Sequence, residues 1–246
     1  MDLKADAAFA VELAQGAGRI LLELRDSGEF SGKDLGKAGD ARANVWLCEQ
    51  ISLHRPDDGL LSEESKDDGL RLKQSRVWII DPVDGTREYG EGRTDWAVHI
   101  GLSIDGVATV GAVGLPGLDL ILRSDQPIAL PEGRTPPRML VSRSRPAAEA
   151  LQVATALGAE LVEMGSAGAK AMAVVRGEAE IYLHSGGQYE WDNCAPAAVA
   201  LAHGLVATRM DGSPLVYNNE DTYLPDLLIC RPEWADKVAE ALKAAV

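Results

Sequence analysis

Two helical patterns open the chain, and a strand pattern follows them. Apolar residues recur at helical spacing over residues 6–26 and again over 40–53, so we predict two amphipathic helices. Residues 76–80 then form a β-branched and aromatic run that is typical of a buried strand. The change of period indicates that a helical layer is followed by the start of a sheet.

A second strand pattern leads into a hairpin. Over residues 94–103 apolar positions alternate with small or polar ones, which predicts a strand with one apolar face. Asp105-Gly106 is a strong hairpin signal, and residues 107–115 return as the partner strand. Helices followed by a hairpin give the first half of the chain an α+β character.

The second half alternates strands and helices, which favours a layered α/β arrangement. Residues 125–137 hold four of the twelve prolines and are the best candidate for a boundary, so we predict subdomains over 1–137 and 138–246. The elements predicted beyond this boundary are strand 138–142, helix 147–157, strand 159–163, helix 167–176, strand 179–183, helix 192–203, strand 226–230 and helix 232–245.

The charge of the chain argues against several classes of partner. Its 246 residues carry 38 acidic and 24 basic side chains, which give a formal net charge of −14. No block of five or more Lys and Arg residues occurs, so we expect no nucleic-acid partner. An anionic membrane surface would also repel the chain. The same charge argues against a polyphosphate substrate, unless another source of positive charge is present.

The sequence also bears on the cellular environment. It contains neither a long apolar run nor a secretory leader pattern, so we expect no membrane span and a cytoplasmic location. The three cysteines, Cys48, Cys194 and Cys230, form no CxxC pair and no zinc-binding spacing. We therefore expect ordinary reduced thiols.

The segment with the most candidate functional residues follows the strand at residues 76–80. Asp81 and Asp84 stand three residues apart, Pro82 stiffens the turn between them, and Gly85-Thr86 can begin a helix. Two carboxylates at this spacing suit a hard cation, and backbone amides at a helix start suit an anion. An ordinary turn after a strand, for which Asp, Pro and Gly are the usual residues, accounts for the same sequence.

Two further acidic segments have structural explanations when each is taken alone. Glu63-Glu64 follows the apolar pair Leu60-Leu61, and adjacent acids usually form a solvated face. Asp192 precedes a run of small residues and can be a helix N-cap. The interpretation changes only when these segments are combined with residues 81–86.

Taken together, the segments resemble the magnesium-dependent, lithium-sensitive phosphatase superfamily of inositol monophosphatases and fructose-1,6-bisphosphatases. Its signature is an Asp, then Glu-Glu, then Asp-Pro-x-Asp-Gly-Thr, and finally Trp-Asp before a helix of small residues. The matching residues are Asp40, Glu63-Glu64, residues 81–86 and Trp191-Asp192. The resemblance covers nearly the whole chain, and it implies an α+β fold built as a layered α/β/α/β/α sandwich.

Within the superfamily the chain looks most like the CysQ-type 3′-phosphoadenosine 5′-phosphate phosphatases of the actinobacterial branch. Residues 186–192 keep the group's Gly-x-x-x-Glu-Trp-Asp, and residues 141–144 resemble its Val-Ser-Arg-Ser segment. Lys170 keeps the group's spacing to the next glycine. Two departures concern nucleotide contacts: residues 165–170 are one residue longer than the group's motif, and Gln188 replaces the usual Thr.

The resemblance implies hydrolysis of the 3′-phosphate of 3′-phosphoadenosine 5′-phosphate to AMP and phosphate, in sulfate assimilation. It leaves open whether the sulfate donor, 3′-phosphoadenylyl sulfate, is also hydrolysed. The alternative is an inositol monophosphatase or fructose-1,6-bisphosphatase of broad sugar-phosphate specificity. Inositol monophosphatases carry a Glu seven residues before the final metal-binding Asp, where this chain has Ser185, so we rank inositol phosphate second. A catalytically inactive homologue is disfavoured because the motif acids are all present.

The resemblance also implies a centre of two to three Mg²⁺ ions. Asp81 would bridge two ions, one of which Glu63 and the carbonyl of Val83 would also hold. Asp84 and Asp192 would complete the second. These ions would supply the positive charge that a phosphate substrate needs on an acidic protein.

The remaining roles concern the attacking water and the substrate. Thr86, oriented by Asp40, would help to activate the water, and the amides of Gly85 and Thr86 would hold the transferred phosphate. Further candidates for substrate binding are Ser142, Arg143, Lys170, His184 and Glu190. Arg143 and Lys170 suit the phosphate that is not cleaved, with solvated surface charge as the alternative. Of the remaining histidines, we expect structural roles for His54, His99 and His203. The resemblance further implies a homodimer.

Overall fold

The computed structural model describes residues 2–244. Its helices are α1 Leu3–Ser27, α2 Gly32–His54, α3 Thr86–Gly90, α4 Ala148–Leu157, α5 Ala167–Val175, α6 Glu190–Ala202 and α7 Pro232–Ala244. Its strands are β1 Gly59–Ser62, β2 Arg76–Asp84, β3 Ala97–Ile104, β4 Val107–Leu115, β5 Leu120–Arg123, β6 Arg138–Ser142, β7 Glu160–Met164, β8 Ile181–Tyr189, β9 Val206–Thr208 and β10 Tyr223–Cys230. The predicted end of the last helix, at residue 245, lies outside the described residues.

Two sheets and three helical layers make up the molecule. The first sheet has the strand order β1-β2-β3-β4-β5, and the second has the order β7-β6-β8-β10-β9. Helices α1 and α2 cover one face of the first sheet, α5 and α6 lie between the sheets, and α4 and α7 cover the outer face of the second. The predicted α+β class and the α/β/α/β/α sandwich are therefore confirmed.

The apolar run in β2 reflects burial of the first sheet on both faces. Trp78 and Ile80 pack into the apolar cluster under α1 and α2, whereas Val77 and Ile79 pack into the cluster around α5 and α6. Each of these side chains is almost completely buried. A strand that is covered on both sides has no polar face, so its sequence shows a continuous run instead of an alternation.

Helix α2 begins at Gly32, earlier than the predicted start at residue 40. The additional turns pack against α3: a Cβ on Gly36 would lie 2.6 Å from Thr86 Cγ2, and a Cβ on Gly39 would lie 2.7 Å from Tyr89 Cε1. Glycine weakens a helix locally but permits this close approach. The early start thus depends on a contact between distant segments, which helical periodicity does not report.

Two strands run past their predicted ends and three short strands were not predicted. β2 continues through an irregularity between Asp81 and Asp84 and pairs Asp84 with Ala97 of β3. β8 extends to Tyr189 because β10 pairs with it along its length. The short strands β1, β5 and β9 contain too few residues for a period to be recognised.

The proline-rich segment 125–137 falls between the two sheets along the chain. Helix α6, from the second half, nevertheless packs against β3 and β4 of the first. The two halves therefore share one of the apolar clusters. The division into subdomains over 1–137 and 138–246 stays a prediction.

Two observations concern the environment of the chain. All three cysteines are free thiols, with Cys194 and Cys230 buried and Cys48 partly exposed. Among the helices within residues 2–244, none is both long enough and apolar enough to cross a membrane. Free thiols are what the sequence analysis expects of these cysteines.

Candidate active site

Three aspartates from distant segments form a compact acidic cluster. Asp81 and Asp84 lie at the end of β2, and Asp192 lies in the first turn of α6. One carboxylate oxygen from each lies within 4.8 Å of the others. Glu63 follows β1, and its carboxyl group contacts that of Asp81. Because β1 and β2 are parallel and in register from Gly59 to Ser62, their ends deliver Glu63 and Asp81 to the same edge of the sheet.

Asp84 is held by the start of α5. It accepts hydrogen bonds from the Ser166 hydroxyl, from the amide of Ala167 at 3.1 Å and from the amide of Gly168 at 2.6 Å. Burial by itself would raise the pKa of Asp84, but the charge and hydrogen bond of His99, together with those donors, hold it below its usual range. Asp84 is therefore the ionised member of the cluster.

His99 joins the cluster, which the sequence analysis did not anticipate. Its Nε2 atom lies 3.1 Å from Asp84 Oδ2, and its Nδ1 atom lies 2.9 Å from the carbonyl oxygen of Trp191. Burial would lower the pKa of this imidazole, but Asp84 raises it. Gly168 makes room for the ring, since a Cβ there would lie 1.9 Å from Nε2. The only sequence signal was a histidine within a predicted strand, and its meaning depended on the pairing of β3 with β2.

Burial and mutual repulsion raise the pKa values of the other cluster acids above their ordinary values. Burial raises the pKa of Asp192 to about 7, and the neighbouring Asp84 charge adds to the effect. Burial and the charges of Glu63 and Asp84 raise the pKa of Asp81 well above its ordinary value. A divalent cation would remove this repulsion, and a site composed of carboxylate oxygens suits a hard ion such as Mg²⁺.

A second group of predicted residues lies beside the acids. The Thr86 hydroxyl lies 3.1 Å from the carbonyl oxygen of Val83 and 3.4 Å from Asp40 Oδ1, so it can donate to either. Burial, followed by the charges of Glu64 and Glu63, raises the pKa of Asp40 to about 7. Gly85 has a φ of 86°, which a side chain would rarely tolerate, and it places Thr86 at the first position of α3.

The candidates from the second half have varied surroundings. The Ser142 hydroxyl accepts a hydrogen bond from the backbone amide of Arg145. Arg143 forms ion pairs with Glu88 at 2.7 Å and with Glu91 at 2.9 Å. His184 Nε2 lies 2.8 Å from the carbonyl oxygen of Gly186.

Lys170 and Glu190 are both buried and hold the backbone in place. The ammonium group of Lys170 donates to the carbonyl oxygens of Gly165 and Ser166, and burial lowers its pKa to about 8. The Glu190 carboxylate accepts hydrogen bonds from the backbone amides of residues 218–219. The Lys170 ammonium and the Glu190 carboxylate are therefore both engaged with backbone groups and not directed at the acidic cluster.

Comparisons with known proteins identify the family of the chain. A family model for the inositol monophosphatase family matches residues 2–246, so the chain belongs to that family. Over 245 residues it is 49% identical to a 3′-phosphoadenosine 5′-phosphate phosphatase of Mycobacterium leprae (strain TN), an alignment that covers 94% of this chain and 90% of that protein. The predicted membership of this phosphatase superfamily is confirmed.

More distant relatives extend the comparison. The 3′(2′),5′-bisphosphate nucleotidase CysQ of Escherichia coli O157:H7 is 27% identical over 232 residues, covering 87% of this chain and 94% of that protein. The crystal structure of CysQ from Bacteroides thetaiotaomicron aligns with a TM-score of 0.81 at 23% identity, over 92% of this chain and 97% of that one. At that identity the likeness shows the fold alone.

Proposed function

We propose that this chain is a phosphatase that converts 3′-phosphoadenosine 5′-phosphate to AMP and phosphate, recycling a by-product of sulfate activation. The observation that carries the proposal is the 49% identity, over 94% of the chain, to a protein named for that activity. The acidic cluster supplies the corresponding chemistry, because phosphoryl transfer depends on positioning and charge stabilisation more than on a protein nucleophile.

Five residues would hold two to three Mg²⁺ ions. The carboxylates of Glu63 and Asp81, with the carbonyl of Val83, would bind on the β1–β2 side, and Asp84 and Asp192 would bind on the side of α5 and α6. When bound, such ions offset the charge of the phosphate and stabilise an in-line displacement. The identity of the metal as Mg²⁺ and the number of ions are part of the proposal.

Thr86 and Asp40 would orient the attacking water. A hydroxyl that donates its proton to Asp40 keeps its lone pairs free, so Thr86 can accept a hydrogen bond from water. The pKa of Asp40, about 7, places this carboxyl near the range in which proton transfer is efficient at neutral pH. The amides of Gly85 and Thr86 would hold the phosphate beside that water.

An exposed aromatic group favours a nucleoside over inositol as the alcohol that carries the phosphate. The rings of Tyr189 and Trp191 stack with centroids 4.9 Å apart, and Tyr223 meets Tyr189 edge-on at 5.7 Å. Tyr189 and Tyr223 are 41% and 40% exposed, and Tyr189 lies three residues before Asp192. A nucleobase can stack on such rings. Ser185, at the family's inositol-binding position, donates its hydroxyl to Glu149 instead.

Substrate preference tests the nucleotidase assignment. We expect kcat/KM for 3′-phosphoadenosine 5′-phosphate to exceed that for inositol 1-phosphate and fructose 1,6-bisphosphate, measured as phosphate release at equal Mg²⁺ concentration. The physical reason is that the base contributes binding energy that neither sugar phosphate can supply. A higher kcat/KM for either sugar phosphate would reject the assignment in favour of the broad sugar phosphatase.

The metal site is tested by Asp192→Asn. This change keeps the side-chain volume but removes a charged oxygen ligand, so kcat should fall by about 100-fold or more. Glu160→Gln is the matched control, because Glu160 is an exposed acid on β7 that forms an ion pair with Arg134 at 3.6 Å. Full turnover in Asp192→Asn would show that Asp192 is not a ligand.

The setting of the enzyme is also part of the proposal. We propose a homodimer in the cytoplasm, supported by the resemblance for the dimer and by three free thiols for the reducing compartment. The net charge of −14 opposes binding to nucleic acid or to an anionic membrane surface, so the proposed partner is the small nucleotide bisphosphate.

A further inference from the structure

Three cationic side chains of the second half, Arg143, Lys170 and Arg145, differ in their surroundings. Arg143 is held by two carboxylates, those of Glu88 and Glu91. Lys170 is buried and donates to two backbone carbonyl groups. Arg145 is exposed, and within residues 2–244 no carboxylate lies at ion-pair distance from it. Of the three, only Arg145 has a guanidinium free to receive an anion.

The guanidinium of Arg145 lies over Gly186-Gly187, a bulge within β8 where the pairing with β10 shifts register. A Cβ built on Gly187 would lie 3.6 Å from Arg145 Nη2 and 3.9 Å from Nη1. Gly186 and Gly187 both have positive φ, 74° and 71°, so the backbone there turns without side chains that would block an approach. The backbone amide of Arg145 is fixed by its hydrogen bond to the Ser142 hydroxyl.

His184 lies between this bulge and the surroundings of the acids: its Nε2 atom is 2.8 Å from the carbonyl oxygen of Gly186, and its ring centroid is 6.3 Å from that of Tyr182. Burial lowers the pKa of His184, the positive charges of Lys170 and Arg145 lower it further, and the negative charge of Asp84 opposes them. The ammonium group of Lys170 lies 5.3 Å from the centroid of the Tyr182 ring and donates to the carbonyl oxygen of Ser166, whose hydroxyl donates to Asp84. These contacts lead from Asp84 to the bulge that lies beside the Arg145 guanidinium.

We propose that Arg145, together with the Gly186-Gly187 bulge, binds the phosphate that is not cleaved, which makes Arg145 a specificity-determining residue for bisphosphorylated nucleosides. This inference rests on the proposed function, in which the scissile 3′-phosphate lies at the acids. The 5′-phosphate of the same ribose then extends beyond them. A guanidinium offers a planar fork of donors for phosphate oxygens, and at Arg145 no existing ion pair has to be broken first.

Arg143 is the alternative, and its surroundings argue against it. To bind a phosphate dianion it would have to leave Glu88 and Glu91, or bind while two carboxylates remain beside the incoming negative charge. The negative charges of the carboxylates and of the phosphate would repel each other. The sequence candidate Arg143 thus holds the segments of α3 and β6 together, while its neighbour Arg145 faces the ligand.

The test compares a substrate that carries the second phosphate with one that lacks it. We expect Arg145→Ala to lower kcat/KM for 3′-phosphoadenosine 5′-phosphate by about 10- to 100-fold, mainly through KM, because charge-assisted hydrogen bonds are lost. The kcat/KM for 3′-AMP should stay within about twofold, since that substrate never contacts Arg145. Arg145→Lys should recover part of the loss, because a single positive charge remains.

Arg134→Ala provides a control with the same change of net charge. Arg134 is an exposed arginine in the proline-rich segment, 3.6 Å from Glu160, and the control should leave both substrates unaffected. An equal loss on both substrates in Arg145→Ala would overturn the proposal, and so would a selective loss in Arg143→Ala with none in Arg145→Ala.

Binding of AMP separates this inference from the proposed function. AMP keeps the 5′-phosphate and needs no turnover, so its Kd, measured by calorimetry, should rise about 10-fold or more in Arg145→Ala while the Kd of adenosine stays constant. A wild-type enzyme that fails to hydrolyse 3′-phosphoadenosine 5′-phosphate would reject the proposed function. An unchanged AMP Kd in Arg145→Ala would reject the role of Arg145.

Discussion

At the scale of single residues, the histidine on β3 is the one that links two of the proposed metal-binding segments. His99 is fully buried and bridges Asp84 to the carbonyl oxygen of Trp191, directly before Asp192. It therefore contacts one proposed metal ligand and the backbone next to another. A buried imidazole in this position would orient the proposed ligands without contacting the substrate.

Replacement of this imidazole should weaken metal binding. We expect His99→Gln to raise the Mg²⁺ concentration for half-maximal activity by about 10- to 100-fold, the usual effect of losing a group that orients a metal ligand. The measurement is a Mg²⁺ titration of phosphate release. His203→Gln is the control, because His203 is also buried but contacts the carbonyl oxygen of Val199 at the end of α6, away from the acids. Identical Mg²⁺ dependence in the wild type and His99→Gln would contradict the positioning role.

At the scale of elements, the close packing of α1 on α2 depends on one small residue. A Cβ on Gly16 would lie 2.0 Å from Cη2 of Trp46, so the indole ring rests directly on the α1 backbone. The two helices together cover the face of the first sheet that includes Trp78 and Ile80. A change at Gly16 is therefore transmitted to the whole outer layer.

Gly16→Ala should destabilise the protein through this contact. Overpacking costs about 1–3 kcal/mol, partly offset by the roughly 1 kcal/mol that alanine gains over glycine in a helix. We expect the Tm to fall by several degrees, measured by circular dichroism. In a double-mutant cycle, Gly16→Ala should be harmless once Trp46→Leu has removed the indole. An equal loss in both backgrounds would mean that the indole contact is not the cause.

The pairing of strands also decides where the acids meet. Glu63 and Asp81 come together because β1 and β2 are parallel, and His99 reaches the cluster because β3 pairs with β2 in antiparallel register. The hydrophobic pattern of one strand predicts neither its pairing partner nor its direction relative to that partner. The sequence predicted β2 and β3 as strands but left their pairing open, which is why His99 was expected to be structural.

At the scale of the whole molecule, the acidic charge links metal binding to stability. Folding raises the pKa values of Asp40 and Asp192 from an ordinary 3.8 to about 7. The folded state then binds more protons than the unfolded state between these values, so the free energy of unfolding falls as the pH rises from about 4 to 7. The raised pKa of His99 acts in the same direction, because its stabilising charge is lost as the pH rises through that pKa.

The metal-free protein should therefore become less stable as the pH rises, and Mg²⁺ should reverse the trend. We expect the Tm in EDTA to fall between about pH 5 and pH 7.5, and the gain in Tm on adding Mg²⁺ to increase over the same range. Differential scanning calorimetry measures both. Asp192→Asn should flatten the pH dependence and reduce the Mg²⁺ gain, since one titrating carboxylate is gone. A Mg²⁺ gain that is independent of pH would contradict this account.

The sequence by itself determined the layered fold, through the change from helical to strand periods and the acidic motifs of the family. It also determined which acids stand at the ends of strands and helices, since local patterns place an acid relative to its own element. Only the tertiary structure decided the partners of each charge: Arg143 is held by Glu88 and Glu91, Arg145 has no carboxylate partner among residues 2–244, and His99 contacts Asp84. The physical reason is that periodicity reports which face of an element is buried, whereas electrostatic contacts depend on atoms brought together from distant parts of the chain.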